Sequence, residues 1–162
     1  LEEHKEVIGK PVAEWSSVPS GPVAEEMKGK TYMLENGKLE KKDGKLNPGH
    51  FLLYFSASWC GPCCRNAPHS VEAYNKAVKD NPDVEVIMCN LDQNLEAAQK
   101  WAAANNMPWP ILLRQDLPEL AKKVAPRGIP TIILVDTDGK RFQSSQDMEQ
   151  LVKAAGSSRS SR

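Results

Sequence analysis

Two stretches of the chain are apolar without interruption: Phe51-Leu52-Leu53-Tyr54-Phe55 and Ile132-Ile133-Leu134-Val135. A strand with one face in water alternates apolar and polar side chains. A run that does not alternate belongs to a strand covered on both faces. Val84-Glu85-Val86-Ile87-Met88-Cys89 reads as another such strand, and Ile111-Leu112-Leu113 as a short one. Between them, apolar residues recur at helical spacing. Val71, Tyr74, Ala77 and Val78 predict a helix from about Gly61 to Lys79, kinked where Pro68 removes a donor. Leu95, Ala98, Trp101 and Ala102 predict a second helix. Leu117, Leu120, Ala121 and Val124 predict a short third, and Met148, Leu151 and Val152 a last one from about Gln146 to Ala155. Buried strands alternating with helices imply an α/β protein with a mixed central sheet flanked by helices.

The N-terminal part reads differently. Residues 1–29 are punctuated by Pro11, Pro19, Gly21, Pro22 and Gly29, which argues against long regular structure. Val7, Ile8, Val12 and Trp15 are apolar enough to dock on a core. Thr31-Tyr32-Met33-Leu34 precedes Asn36-Gly37, a strong hairpin signal, and Asp43-Gly44 reads as a second turn. Lys38, Lys41, Lys42 and Lys45 read as a solvated edge that discourages strand pairing. Asp138-Gly139 turns the last apolar strand into Lys140-Arg141-Phe142. The expected division is an extension over 1–50 with its β-hairpin packed on the core, a core over 51–155, and a disordered tail over 156–162.

With 162 residues the chain can bury a substantial core without disulfide staples. Its 21 basic and 21 acidic residues cancel, which argues against a nucleic-acid or anionic-membrane partner. No apolar run reaches the ~18 residues needed to span a bilayer. The first six residues contain no apolar core of a signal peptide. An exported protein with its signal removed is the expectation, a cytoplasmic one the alternative.

Of the four cysteines, Cys60, Cys63 and Cys64 lie within five residues and Cys89 lies apart, in a strand. Such clustering points to redox or metal chemistry. Cys60-Gly61-Pro62-Cys63 follows a buried strand and opens a helix. There the helix dipole and free backbone amides favour a thiolate. Cys63, three residues on, is within disulfide reach. Gly61 allows close backbone approach, and Pro62 is tolerated in a first helical turn. Cys60 is then a nucleophile and Cys63 its resolving thiol. A structural pair, or half a zinc site completed by Cys64, Cys89, His50 or His69, is the alternative from this motif alone.

Trp59-Cys60-Gly61-Pro62-Cys63 resembles the active-site sequence of the thioredoxins. Pro68, Asn90-Leu91-Asp92-Gln93-Asn94 and Arg127-Gly128-Ile129-Pro130-Thr131 match further thioredoxin segments in the right order, over about residues 50 to 155. Tyr54-Phe55-Ser56-Ala57-Ser58-Trp59-Cys60 and Met107-Pro108-Trp109 are similar to tryparedoxins and nucleoredoxins. The resemblance implies a thioredoxin fold with a strand and helix inserted before a cis-Pro130. It implies a thiol–disulfide oxidoreductase that reduces protein disulfides through Cys60 and Cys63, with no organic cofactor or metal. Ile129 would offer its backbone to the substrate, and Trp59 and Trp109 would be apolar platforms near the thiols. Electrons would come from a reductase or dithiol donor, and the protein would be a monomer. Two departures stand out: Tyr54 and Met88 occupy places where thioredoxins carry a buried Asp and a Lys. The base for Cys63 is then water or the Tyr54 hydroxyl. Cys64, where a basic residue is usual, is either a bystander or an auxiliary thiol. The rivals are a disulfide oxidase or isomerase, and a metal-binding or non-catalytic module on the same scaffold.

Overall fold

The computed structural model describes residues 18–160, with side chains to Ser157. Val7, Ile8, Val12 and Trp15 lie outside them. The element order is α1 (Pro22–Met27), β1 (Tyr32–Glu35), β2 (Lys38–Lys41), β3 (His50–Ser56), α2 (Gly61–Ala73), β4 (Val84–Asn90), α3 (Leu95–Asn105), β5 (Ile111–Leu112), α4 (Glu119–Val124), β6 (Thr131–Asp136), β7 (Arg141–Ser145) and α5 (Met148–Ser160). One sheet holds all seven strands in the order β2-β1-β5-β4-β3-β6-β7. β3 pairs parallel to β4 and antiparallel to β6.

The unbroken apolar runs take the central places. Every residue of β3 and β4 is buried. Side chains alternate across the sheet, so each strand feeds two cores. Leu52, Tyr54, Val86, Met88, Ile132 and Leu134 face one core, which α2, α3 and α5 close through residues such as Ala67, Ala102 and Leu151. Phe51, Leu53, Phe55, Ile87, Ile133 and Val135 face the other, closed by α1 and α4 through Val23, Met27 and Ala121. Among the described residues, no helix is long and apolar enough to cross a membrane.

Register places the ends that matter. Ser56 of β3 pairs with Asn90 of β4, and Phe55 with Thr131 of β6. The chain leaves β3 and β4 and enters β6 at one end of the sheet. Three loops meet there, as expected for a ligand site in an α/β sheet.

Several local expectations change. Asn36 (φ 52°) and Gly37 (φ 80°) make the hairpin turn with two left-handed residues. Asp43-Gly44, by contrast, makes no turn. The Asp43 carboxylate accepts from the Gly29 amide at 2.8 Å. A Cβ on Gly44 would collide with Pro110 and lie 2.6 Å from a Glu85 oxygen, so this glycine serves close packing. Lys45 is not on a solvated edge. Its ammonium is half-buried and donates to the Val78 and Asn81 carbonyls, both at 2.7 Å. Desolvation lowers its pKa, opposed by the nearby Glu85 and Asp80 charges. Glu85 itself is buried. It accepts from the Tyr74 hydroxyl at 2.8 Å and from the Lys45 and Val86 amides at 2.9 Å each, while burial raises its pKa. This cluster clamps the segment after the hairpin to the sheet end remote from Cys60.

The helix expected to run to Lys79 widens into a π turn over Tyr74–Val78, which leaves Tyr74 buried against Glu85. α1 was not anticipated. It has six residues, too few for a periodic signal, and is anchored by the Val23 amide donating to the Thr137 carbonyl at 3.1 Å. At the other end α5 continues to Ser160, so residues 156–160 are helical rather than a disordered tail.

Candidate active site

Cys60 is the N-cap residue of α2, with Gly61 and Pro62 in the exposed first turn. Its backbone is extended, and its sulfur accepts from the Cys63 amide at 3.3 Å. That amide is one of the unpaired donors of a helix start, and the Cys60 sulfur satisfies it. On its other side the Cys60 thiol faces the Ile129 carbonyl at 3.7 Å, and the Ile129–Pro130 peptide is cis. Cys60 keeps 9% of its surface exposed, whereas Cys63 has none. The outer thiol can meet another molecule; the inner one cannot. Neither is bridged.

The loop before Cys60 is held by a polar knot. Asp92 accepts from the Ser58 amide at 3.1 Å, from the Ser58 hydroxyl at 2.6 Å and from the Asn90 side chain at 2.9 Å. The Trp59 indole donates to the Leu91 carbonyl at 3.4 Å while 66% of the residue stays exposed. An apolar ring is thus fixed beside Cys60 on the protein surface.

Burial pushes the Cys63 thiol up to about 11, and its hydrogen bond with Cys60 adds to the rise. The Ser56 hydroxyl and the Ala57 backbone act in the opposite direction. Ser56, fully buried at the end of β3, is a site residue that sequence reasoning missed. A serine ending an apolar run carries no signal of its own. Tyr54 is also fully buried near Cys63, and its oxygen accepts from Asn66 at 3.0 Å. Burial raises its pKa too. At neutral pH the phenol is protonated, so it can hydrogen-bond but offers no anionic base for Cys63.

Trp109 is not a platform at the surface. It is fully buried, edge-on to Tyr54 and Tyr74 with ring centroids at 5.5 and 5.9 Å. An apolar ring flanked by two prolines reads equally well as a surface platform and as core, and here packing decides. Cys64 is exposed, with its sulfur 3.2 Å from the Ser58 carbonyl. Cys89 is fully buried in β4, and desolvation raises its pKa beyond the range of ordinary titration. With the Cys60–Cys63 disulfide formed, a maleimide is therefore expected to label Cys64 alone. Cys89 should react only under denaturant. Intact-mass analysis would count one adduct, then two. Among the described residues, no three His, Cys, Asp or Glu side chains are gathered so as to hold a metal ion.

The thioredoxin-like family profile matches residues 50–141. The chain is 31% identical over 121 residues to thiol-disulfide oxidoreductase ResA of Bacillus cereus, covering 73% of this chain and 67% of that protein. It is 31% identical to probable nucleoredoxin 1 of Arabidopsis thaliana over 86% of this chain. It spans 23% of that protein's length, about a quarter. Tryparedoxin I of Leishmania major superposes with a TM-score of 0.58 at 26% identity, over 85% of this chain and 94% of that one. Thioredoxin of Wuchereria bancrofti gives 0.60 at 22% identity, over 84% and 98%, a likeness of fold.

Proposed function

The chain belongs to the thioredoxin-like family of thiol–disulfide oxidoreductases, and from that premise we propose that it reduces protein disulfides by dithiol exchange. The Cys60 thiolate attacks one sulfur of a target disulfide, forming a mixed disulfide and releasing the first target thiolate. Cys63, deprotonated by water, then attacks Cys60. The Cys60–Cys63 disulfide closes and the second target thiolate leaves. Two electrons pass to the target, and a reductase or dithiol donor returns them. The thiols hold the electrons themselves, so no organic cofactor takes part.

One arrangement carries this reading: an accessible thiol at a helix N-cap with a buried partner thiol behind it and the Ile129 carbonyl of a cis-proline in front. The backbone at Ile129 would pair with the substrate chain, as in other short β-type dockings. Trp59, Gly61, Pro62 and Pro130 would border the bound peptide.

The test is the reduction potential of the Cys60–Cys63 pair, read by trapping free thiols after equilibration in defined thiol buffers. A reductant should titrate at about −270 mV, whereas an oxidant would lie near −120 mV. A pair that never forms a reversible disulfide ends the reading.

A further inference from the structure

The chain has six arginines, and four of them have described side chains: Arg65, Arg114, Arg127 and Arg141. Three of them stand near the redox pair, while Arg141 leaves β7 opposite Val135 and its guanidinium runs back along the strand to Ser144. Arg127 and Arg141 line an open groove of about 570 Å³ whose floor is Ile129 and Pro130. Arg114 lines a second groove, on the other flank, together with Trp59. The Arg65 guanidinium reaches back over the active-site turn, where its Nη1 would lie 3.5 Å from a Cβ built on Gly61.

None of the four makes an ion pair among the described residues. Arg141 donates to the Ser144 hydroxyl at 3.2 Å, a neutral partner. No carboxylate lines the groove at Ile129. In the groove at Trp59 the one carboxylate is Asp92, and its oxygens are occupied by Ser58 and Asn90. In a chain whose charges sum to zero, these planar, bidentate cations stand without carboxylate partners, at the active-site turn and along the grooves at Ile129 and at Trp59. Guanidinium groups in that state match carboxylates.

We infer that the disulfides this protein reduces lie in acidic protein segments. Carboxylates on one side of the target cysteine meet Arg127 and Arg141, and carboxylates on the other meet Arg114. The inference rests on the dithiol reading above and adds the substrate class to it. The arginines are exposed, so they act mainly on encounter and register, and salt screens them.

The experiment uses three peptides with one central disulfide and identical sequences except for flanking Glu, Gln or Lys. Each is mixed with the fully reduced protein, and the second-order rate of reduction is followed. At low salt the Glu peptide should react about tenfold faster than the Lys peptide, with Gln between, and the gap should narrow as salt rises. The Arg127→Glu/Arg141→Glu variant should reverse the order of the Glu and Lys peptides. A matched Lys38→Glu/Lys79→Glu variant, changed on the far edge strand and just beyond the C-terminal turn of the active-site helix, should keep it. Equal rates for the three peptides overturn the inference while leaving disulfide reduction intact. A Lys38→Glu/Lys79→Glu variant that shifts the ratio as much would also overturn it, since net charge alone would then suffice. Glutathione disulfide reacting faster than the Glu peptide would replace acidic protein segments with a small disulfide that carries its own carboxylates. Reduction of none of the peptides would instead remove the dithiol reading itself.

Discussion

Cys60→Ser is expected to abolish disulfide reduction, with a loss of at least about a thousandfold, because a hydroxyl cannot replace a thiolate as attacking group. Cys63→Ser should behave differently. The first attack needs only Cys60, so the variant should stall as a mixed disulfide that mass spectrometry detects as a covalent adduct. If Cys64 acts as an auxiliary thiol, the adduct will decay, and Cys63→Ser/Cys64→Ser will restore it. An adduct equally long-lived in both variants would make Cys64 a bystander. In the unaltered protein the resolving step carries a pH signature. Cys63 is pushed up to about 11, first by burial and then by its hydrogen bond with Cys60. At pH 7 only about one molecule in 10⁴ then holds it as thiolate. Resolution should speed up about tenfold per pH unit and level off as the pH approaches that value. Bonding of Cys60 to a target removes the Cys60 thiol as hydrogen-bond partner of Cys63, which moves the plateau to somewhat lower pH. A resolution rate flat between pH 6 and 9 would show that another group in the complex takes the Cys63 proton.

The centre of the fold was legible because it follows from short-range physics. Phe51–Phe55 and Ile132–Val135 read as strands covered on both faces, and Asn36-Gly37 as a tight turn, and both form as read. The thiol site was legible for a related reason: Cys60 and Cys63 are joined through one helical turn, and the sequence prints that spacing. What could not be read depends on distant partners. Lys45 looked like its exposed neighbours because Val78 and Asn81, which bind its ammonium, lie more than thirty residues away. Gly44 looked like a turn residue, but the atoms that demand a glycine belong to Pro110 and Glu85. Ser56 gains its meaning only from the thiol the helix brings back above it. The set of arginines is assembled from four separate stretches of chain, and no window of sequence contains it.

Trp109→Ala is expected to be a stability variant. The ring is fully buried in the larger core, between the edges of Tyr54 and Tyr74. Removing it leaves a cavity the size of an indole, at a cost of about 3–5 kcal/mol for a buried Trp. The two edge contacts fall within that sum at about 0.5–1.5 kcal/mol each. Against a domain stability of about 5–15 kcal/mol the loss is large, and Tm should fall by roughly 10 °C. The neighbouring Pro110 carbonyl accepts from the Met88 amide at 2.9 Å, so the pairing of β4 with the segment entering β5 should loosen as well. The attack of Cys60 on a peptide disulfide, measured well below the new Tm, should stay within about twofold of the original rate, since the indole's ring contacts are with Tyr54 and Tyr74. A substrate platform would give the opposite pattern, an unchanged Tm with a slower first attack. Any catalytic effect should reach the resolving step instead. Tyr54 is the shared neighbour of Trp109 and Cys63, and a Tyr54 ring free to tilt would alter the surroundings of the buried thiol.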